Sequence, residues 1–465
     1  MGKSDWKDLR EFIAFCDKKG HVKRIKEEVD PDWEVNGITR VMMQRLGPLL
    51  VFENVKGADY PLVSNLLANE QRFLWALDVE KWADFNEEWV RRTEKPIAPK
   101  VVKNAPCQEV IVQEKDIDIG KICNVKWHIL DKKAFPGTLS ISVTKDPETG
   151  EQNGGIYRME LEGKTKLGWG APEYTHGRQH YMKYEAMNKP MPMALVTGVD
   201  PITEIVGATR TPPGIDEWAL ASGLRRAPLE VVKCKTCDIL VPANAEWIFE
   251  GVMYPGVRYH EDTEWFGEYT SHYGEARTLP VFEVKLITHR KNPIYHGTRE
   301  QWYPGESFFA HGRPSQAEAY KTIKKLVPGI IDMRCNVCYE AIVKIKKLFQ
   351  GHPQQVMDAV WGATYSKYKH VIVVDEDIDI WDYESVHWAI STRVKADRDV
   401  TISPRRSGQW LDPASTLRER GWQTCMGIDA TLPTEEYAFW GDKIPPIVDD
   451  PEIVAKTIKK WGKKL

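Results

Sequence analysis

Residues 259–269, which read Tyr-His-Glu-Asp-Thr-Glu-Trp-Phe-Gly-Glu-Tyr, place four carboxylates among aromatic side chains. The acids are Glu261, Asp262, Glu264 and Glu268. Carboxylate oxygens can hold a divalent cation, and a carboxyl group buried among aromatic rings can exchange protons near neutral pH because burial raises its pKa. A solvated acidic turn is the third interpretation. Which of the three interpretations holds depends on the groups from elsewhere in the chain that contact these acids.

A cationic partner lies in residues 153–163, Asn-Gly-Gly-Ile-Tyr-Arg-Met-Glu-Leu-Glu-Gly. The two-residue period of a β-strand would put Ile156, Arg158 and Glu160 on one face of this run. An arginine in the middle of a strand is costly to bury without an anion beside it. That anion is either a distant acid or Glu160, in a salt bridge across the strand surface.

Two Cys-x-x-Cys pairs offer a different chemistry. They are Cys234–Cys237 and Cys335–Cys338, four of the 8 cysteines in the chain. Together they could form a Cys₄ zinc site, and each alone could be a redox dithiol. The pairs are far apart in sequence, and the first lies in an apolar run typical of a buried strand, where cysteine behaves as a small hydrophobic residue. Packing is therefore the favoured interpretation.

Several long stretches, in order, resemble the UbiD-type reversible decarboxylases, the family of 3-octaprenyl-4-hydroxybenzoate and ferulic acid decarboxylases. The sequence QNGGIYRME resembles the central motif of that family. The likeness continues through GATRTPPGIDEWALASGLRRAPLEVVKCKTCDILVPANAEWIFEG, GHPQQVMDAVWGA, KHVIVVDEDIDIWDYESVHWAISTRVKADRD and CMGIDAT. The resemblance spans nearly the whole chain, which makes it much more specific than one short motif.

The resemblance implies a prenylated FMN cofactor, whose phosphate is held by a divalent metal, usually Mn²⁺, often with K⁺ nearby. The matching metal ligands are Asn153, His176 in THGRQ, and Glu217 in GIDEWALASG. An amide oxygen, an imidazole and a carboxylate suit Mn²⁺ or Mg²⁺ and leave positions for phosphate oxygens. His180 is the competing histidine. Taken singly, His176 would be a surface histidine and Glu217 a carboxylate stabilised at a helix N-terminus.

The resemblance also implies the catalytic groups. Arg158 matches the arginine of a Glu-Arg-Glu network, and Glu268 matches the glutamic acid that protonates the substrate carbon, with Glu264 as the second glutamate. Further candidates for cofactor contact are Thr144, Ile156 and Tyr157. The implied reaction is reversible, non-oxidative decarboxylation of an aromatic or α,β-unsaturated acid through a covalent adduct with the cofactor. Glu268 could act as the acid if Arg158 is committed mainly to the second glutamate.

The sequence departs from the family pattern at two places. The acidic stretch lacks the Gly-Pro of the family, so the second glutamate is Glu264 after a one-residue deletion or Glu261 after a two-residue insertion. Cys425 stands where the family often has a lysine before Met-Gly-Ile-Asp-Ala-Thr. Arg418 or Arg420 could replace that lysine. Both departures concern the substrate side, so the acid stays open among phenolic acids, other aromatic acids, acrylic-type acids and aryl-CoA thioesters.

Two rival functions belong to other classes. One is an FMN-dependent oxidoreductase built on a similar split barrel, because fold alone does not fix chemistry. The other is a zinc-binding interaction protein organised by the two Cys-x-x-Cys pairs. Neither requires Asn153, Arg158, His176 and Glu217 in these sequence contexts, so the decarboxylase is the preferred prediction.

The elements that must position these groups follow from pattern and composition. With 465 residues, 42% hydrophobic content and a net charge of −3, the chain is typical of a multidomain globular protein and gives no electrostatic case for nucleic-acid binding. We predict an N-terminal α/β region over 1–104, a flavin-binding split β-barrel over 105–310, and a linker helix with an α/β oligomerisation domain over 311–465. Residues 138–169 are predicted as two strands joined by a polar turn.

The expected partners and location complete the prediction. The start of the chain lacks a secretory signal pattern and no apolar run is long enough to span a bilayer, so we expect a cytoplasmic protein. The amphipathic tail, with Val454, Ile458, Trp461 and Leu465 on one face, favours docking on another subunit of a homo-oligomer, a dimer or a hexamer. The other partners are a small acid with CO₂, and a flavin prenyltransferase that supplies the cofactor.

Overall fold

The computed structural model describes residues 5–211, 214–260, 266–274, 278–335, 338–409, 411–414, 421–434 and 450–462. Three α/β regions follow one another along the chain, and the middle region contains a curled nine-stranded sheet. The predicted fold class, with a central split barrel between two α/β parts, is confirmed.

The N-terminal region begins with the expected amphipathic helix α1 (Leu9–Lys18). The Asp8 side chain caps it by accepting a hydrogen bond from the backbone N–H of Glu11. Its apolar face, with Leu9 and Phe12, is buried. The remaining elements are helices α2 (Glu34–Gln44), α3 (Glu70–Leu77) and α4 (Trp82–Thr93), and strands β1 (Val22–Ile25), β2 (Leu49–Phe52), β3 (Leu62–Ser64) and β4 (Lys100–Val101).

The middle region is rich in strands, as predicted. Its helices are α5 (His176–Ala186), α6 (Pro201–Gly207) and α7 (Glu217–Arg225). Its strands are β5 (Val110–Gln113), β6 (Ile141–Lys145), β7 (Gln152–Ile156), β8 (Met159–Leu161), β9 (Lys166–Trp169), β10 (Met191–Thr197), β11 (Glu230–Lys233), β12 (Leu240–Pro242), β13 (Trp247–Met253), β14 (Arg258–His260), β15 (Phe266–Gly267), β16 (Tyr273–Gly274), β17 (Thr278–His289) and β18 (Tyr295–His296).

The large sheet has the order β7-β6-β10-β13-β17-β9-β8, with β5 and β14 also paired to β17. The strands at its two ends, β7 and β8, follow each other directly in sequence and are joined by Tyr157 and Arg158. Two consecutive strands can occupy opposite edges only if the sheet curls until those edges approach. The result is a barrel with an open seam, and Arg158 lies at that seam.

This topology corrects two predictions. Residues 138–169 contain four strands, β6 to β9, because the run from Asn153 to Leu161 breaks after Ile156. The expected continuous strand with Ile156, Arg158 and Glu160 on one face is therefore wrong. The physical reason is that β7 pairs with β6 whereas β8 pairs with β9, so the chain must leave one edge before it joins the other.

The C-terminal region has a five-stranded sheet with the order β19-β20-β21-β23-β22. The predicted βαβ unit is present, since β20 and β21 are parallel and α9 connects them. The strands are β19 (Ile330–Arg334), β20 (Glu340–Ile345), β21 (His370–Asp375), β22 (Val400–Ser407) and β23 (Trp422–Ala430), and the helices are α8 (Arg313–Leu326), α9 (His352–Ala363), α10 (Tyr383–Arg393), α11 (Ala396–Asp399) and α12 (Pro451–Trp461).

The tail helix α12 exposes its apolar side chains. Val454, Ile458 and Trp461 are all exposed, and Leu465 lies outside the described residues. Docking of this helix on another subunit stays a prediction. Across the described ranges, no helix combines the length and the apolar character that crossing a membrane requires.

Candidate active site

Arg158 at the barrel seam is held by a carboxylate from the acidic stretch. Its Nη1 donates a hydrogen bond to Oε1 of Glu268 at 2.9 Å, and the two side chains are 9% and 15% exposed. The guanidinium carbon lies 5.1 Å from the centre of the Phe266 ring. A buried arginine is stable only with such an anion, so the ion pair accounts for the position of Arg158.

Short backbone contacts fix both members of this pair. The backbone N–H of Gly170 donates to the carbonyl of Arg158 at 2.9 Å, and a Cβ at Gly170 would come within 2.5 Å of the Arg158 side chain. Glu268 follows β15, and its backbone N–H donates to the carbonyl of His272 at 2.9 Å. A glycine at 170 is therefore required for the arginine to reach the seam.

Among the described residues, Arg158 forms an ion pair with Glu268. That Arg158 is committed mainly to the second glutamate, the condition for Glu268 to act as the acid, stays a prediction. Glu261 and Glu264 both lie outside the described residues, so the choice between them stays a prediction. Arg158 and Glu268 are brought together, as the sequence predicts.

A second group of predicted residues meets beside β7. Asn153 on β7 donates from Nδ2 to Oε1 of Glu217 at 3.0 Å, and the backbone N–H of Gly154 donates to Oε2 at 3.2 Å. Thr211 donates its hydroxyl to Glu217 Oε1 at 3.0 Å. Glu217 is the first residue of α7 and is buried, which raises the pKa of its carboxyl group to about 7.

His176 is the first residue of α5, and the start of this helix lies against Asn153. A Cβ at Gly177 would be 3.4 Å from Asn153 Oδ1. His176 is half-buried, and burial together with the charge of Arg210 lowers the pKa of its imidazole. The amide of Asn153 and the carboxylate of Glu217 are therefore in contact beside the start of α5, and an amide oxygen, a carboxylate and an imidazole are ligands that a divalent cation accepts.

The competing histidine is engaged elsewhere. His180 Nδ1 lies 2.9 Å from the hydroxyl of Thr144, and its Nε2 is 3.7 Å from Oδ2 of Asp146. Burial lowers the pKa of His180 to about 4. Both ring nitrogens face protein groups, which favours His176 as the ligand. Thr144 is fully buried, and its role in cofactor binding stays a prediction.

Tyr157 and Ile156 lie at the end of β7, close to Asn153. The Tyr157 hydroxyl donates to Asn153 Oδ1 at 3.4 Å, and burial raises the pKa of this phenol to about 12. Ile156 ends β7, half-buried, with Gly207 at the end of α6 packed close to it. Contact of either residue with a cofactor is still untested.

The sequence did not single out Glu300, which belongs to the same site. It is buried and accepts a hydrogen bond from the Ser307 hydroxyl at 2.7 Å. Burial, together with the charges of Glu268 and Glu306, raises the pKa of Glu300 to about 8. Its backbone carbonyl lies 2.8 Å from Nε2 of His128, a buried histidine. The acids in Arg-Glu-Gln-Trp-Tyr-Pro-Gly-Glu, residues 299–306, were the signal available in the sequence.

The raised pKa of Glu300 predicts a specific pH dependence of stability. A carboxyl that titrates at about 4.5 when unfolded and at about 8 when folded keeps its proton longer in the native state. Burial of the protonated group therefore contributes fully to the free energy of unfolding below about pH 4.5. This contribution, at most about 5 kcal/mol, is lost as the pH rises to about 8. Glu300→Gln should remove this loss, so that the variant is more stable than the original protein at pH 8 to 9.

Denaturant unfolding at several pH values measures this effect as the difference between the two proteins. The difference is needed because Glu217 and His296 also titrate in or near this range. Glu151→Gln, at an exposed position, is the control and should leave the pH profile unchanged. Parallel profiles for Glu300→Gln and the original protein would contradict the prediction.

A buried cluster next to Glu300 contains Glu204, His296 and Glu306. Nδ1 of His296 lies 3.2 Å from Glu204, and Nε2 lies 3.7 Å from Glu306. The two carboxylates raise the pKa of His296 to about 10. Although these groups are close enough to hold a metal, the two ring nitrogens point away from each other. The arrangement therefore suits an imidazolium between two carboxylates.

The cysteines do not form the considered Cys₄ site. Among the described residues, Cys234 and Cys237 cluster with Glu250, and the second pair is absent from that cluster. Cys338 instead lies with its Sγ 3.7 Å from the carbonyl of Tyr269. The described residues therefore form no shared Cys₄ site, the alternative that the sequence already disfavoured, because the two pairs belong to different regions of the fold.

Cys425, which replaces the family lysine, is fully buried in β23. Burial raises the pKa of its thiol. Arg418 and Arg420, the proposed substitutes for the lysine, lie outside the described residues. A buried neutral thiol cannot supply the positive charge of a lysine, so Cys425 does not take over the role of the family lysine.

Three family models match the chain in order. They describe the N-terminal domain, the Rift-related domain and the C-terminal domain of 3-octaprenyl-4-hydroxybenzoate carboxy-lyase, and they match residues 13–91, 100–301 and 310–430. An uncharacterised protein of Archaeoglobus fulgidus is 34% identical over 94% of this chain and 95% of its own length. One of Synechocystis sp. is 31% identical over 98% of this chain and 95% of its own length.

Solved structures agree with these matches. HmfF, a UbiD-class enzyme from Pelotomaculum thermopropionicum in complex with FMN, is 33% identical, with a TM-score of 0.87 over 98% of this chain and 100% of the HmfF chain. An evolved dimeric form of HmfF in complex with prFMN is 31% identical, with a TM-score of 0.85 over 98% and 100% of the two chains. The vanillic acid decarboxylase of Sedimentibacter hydroxybenzoicus in closed form is 29% identical, with a TM-score of 0.88 over 98% and 99%. The chain therefore belongs to the UbiD family, a family of carboxy-lyases.

Proposed function

We propose that the protein catalyses reversible, non-oxidative decarboxylation of an aromatic or α,β-unsaturated carboxylic acid. The observation that carries the proposal is the Arg158–Glu268 ion pair at the open seam of the barrel. It places a largely buried cation and carboxyl group next to Tyr157, whose hydroxyl contacts Asn153 beside Glu217. Binding of an anionic acid and transfer of a proton to carbon require these two groups.

The cofactor is prenylated FMN, with its phosphate held through a divalent metal, Mn²⁺ in the first place, and with K⁺ as a further candidate. Asn153, His176 and Glu217 would hold the metal. They fit it because the buried carboxyl of Glu217 accepts three hydrogen bonds from neutral donors, and its pKa is raised to about 7, as expected of an acid that no cation compensates. The HmfF structures in complex with FMN and with prFMN support the flavin part of this proposal.

Bound prenylated FMN would supply an electron sink for the electron pair released when CO₂ leaves the substrate. Arg158 orients the substrate carboxylate and holds Glu268 in place through the 2.9 Å contact. Glu268, after taking up one proton from solvent, gives that proton to the carbon that has lost CO₂ and returns to the carboxylate form that pairs with Arg158. In the carboxylation direction Glu268 removes that proton again. Phe266, which is buried, forms the apolar wall beside Arg158 and excludes water.

The proposed partners follow from this chemistry. A flavin prenyltransferase makes the modified cofactor, and the acid and CO₂ are the exchanged small molecules. The chain forms a homo-oligomer, a dimer or a hexamer, for which the exposed apolar face of α12 is a candidate contact. The acid is a free aromatic or acrylic-type acid or an aryl-CoA thioester.

Native mass spectrometry and an absorbance spectrum of the protein co-expressed with a flavin prenyltransferase test the proposal. The expected result is a bound flavin heavier than FMN by one C₅ unit, together with a divalent metal. The control is the same protein expressed without the prenyltransferase, which should carry unmodified FMN or none. Plain FMN in both preparations, with oxidation of reduced nicotinamide, would favour the oxidoreductase instead.

A further inference from the structure

The proposed decarboxylase chemistry does not use the pair Cys234–Cys237. This pair lies in the loop between β11 and β12, on the small sheet of the middle region. The backbone N–H of Cys234 donates to the carbonyl of Ile239 at 2.8 Å, which closes the loop. Cys234 is buried and Cys237 is half-buried, so the pair has one side in the core and one side open to solvent.

The buried carboxylate of Glu250 lies next to this loop. Glu250 on β13 is fully buried, and one donor atom from each of Cys234, Cys237 and Glu250 lies within 4.8 Å of the others. In the described part of the chain no cationic side chain forms an ion pair with Glu250. A buried carboxylate without a cation is unfavourable unless other groups compensate its charge.

Hydrogen bonds from the loop itself fix this carboxylate. Oε1 of Glu250 accepts from the backbone N–H of Lys235 at 2.9 Å, and Oε2 accepts from the backbone N–H and the hydroxyl of Thr236 at 2.6 and 2.7 Å. A carboxylate has about four lone-pair positions. One therefore remains, on Oε1, and the bonds that occupy the other three fix a carboxylate that lies within 4.8 Å of the sulfur atoms.

We propose that Cys234, Cys237 and Glu250 bind one Zn²⁺ ion, with water as the fourth ligand. Two sulfur ligands favour a soft or borderline ion over Mg²⁺ or Mn²⁺, and four-coordinate Zn²⁺ accepts thiolate and carboxylate together. The outer hydrogen bonds to Glu250 orient a ligand in the way that such bonds do at known metal sites. Each thiol that binds releases its proton to solvent.

The position of the loop gives the ion a structural role. Leu240, the first residue of β12, donates its backbone N–H to the side chain of Gln152 at 2.8 Å, and its carbonyl accepts from the indole N–H of Trp218 at 3.1 Å. Gln152 precedes Asn153, and Trp218 follows Glu217. A metal that fixes this hairpin would therefore also stabilise the two segments that carry the proposed phosphate-metal ligands.

The second Cys-x-x-Cys pair provides a matched control within the chain. Cys335 and Cys338 belong to neither of the two clusters of metal-ligating side chains formed by the described residues. The pairs have the same spacing, but among the described residues only the first forms a group with a carboxylate in which the ligand atoms lie within 4.8 Å of one another. If spacing alone sufficed, both pairs would bind the ion. If the carboxylate is required, the first pair alone does.

Titration of the reduced, metal-free, full-length protein with Co²⁺ tests the site. We expect one equivalent of Co²⁺ to produce sulfur-to-cobalt absorption that Zn²⁺ then abolishes, and the proposed flavin site cannot produce this signal because it has no sulfur ligand. Cys237→Ser should lose the absorption, whereas Cys338→Ser should retain it. Glu250→Gln should weaken binding at least about 10-fold.

Thermal unfolding keeps the test decisive if a variant folds poorly. Zn²⁺ should raise the melting temperature of the original protein and of Cys338→Ser, because an ion that binds the native state stabilises it, but it should not raise that of Cys237→Ser. No sulfur-to-cobalt absorption in the original protein, or retention of it in Cys237→Ser, would overturn the proposal. These readouts need no flavin and no substrate, so they are independent of the proposed decarboxylase function.

Discussion

Replacing Glu268 by glutamine is expected to lower the decarboxylation rate by roughly 10²- to 10⁴-fold, the usual contribution of a positioned general acid. Glutamine keeps the size of the side chain and can still accept a hydrogen bond from Arg158, but it has no proton to give to carbon. The loss should therefore appear in kcat more than in KM. Steady-state kinetics on protein with matched flavin content measure it.

A second readout separates proton transfer from a structural effect. The original enzyme should exchange hydrogen for deuterium at the product carbon in heavy water, and Glu268→Gln should slow this exchange as much as it slows decarboxylation. Glu268→Asp keeps the acid and should recover part of the rate. Glu151→Gln, at an exposed position, is the matched control. An unchanged rate in Glu268→Gln would rule out this residue as the acid.

Replacing Glu217 by glutamine is expected to weaken binding of the divalent metal by more than about 100-fold, because even the outer partners of metal ligands contribute 10- to 100-fold. The change removes a negative charge but keeps a side chain of similar shape at the start of α7. The hydrogen bonds from Asn153, Gly154 and Thr211 show that this side chain is fixed in place. We expect the flavin to be lost together with the metal.

Metal analysis and flavin absorbance of the purified variant measure this effect. Glu173→Gln, an exposed residue of the same region, is the control and should retain both metal and flavin. Adding excess Mn²⁺ should restore part of the flavin content of Glu217→Gln. If the variant keeps stoichiometric metal and flavin without added Mn²⁺, the assignment of Glu217 as a ligand fails.

The sequence by itself determined the local elements and the chemical types at the site. The spacing of Leu9, Phe12, Ile13 and Cys16 predicted the buried face of α1, because a helix of this length is specified by near neighbours along the chain. The βαβ unit of the C-terminal region was predicted for the same reason. The need of a buried guanidinium for a carboxylate left Glu160 and the acidic stretch open as partners of Arg158, and the resemblance to the UbiD-type decarboxylases favoured the acidic stretch.

Only the tertiary structure decided where these groups meet. The break of the chain at Tyr157–Arg158 follows from the curling of the sheet, because β7 and β8 pair with different neighbours. Pairings between distant segments also determine that Arg158 contacts Glu268. They likewise place Glu300 near Glu268 and Glu306. The sequence fixes which side chains can ionise, but burial and neighbours from other segments fix their pKa values, and these exist only once the chain has folded.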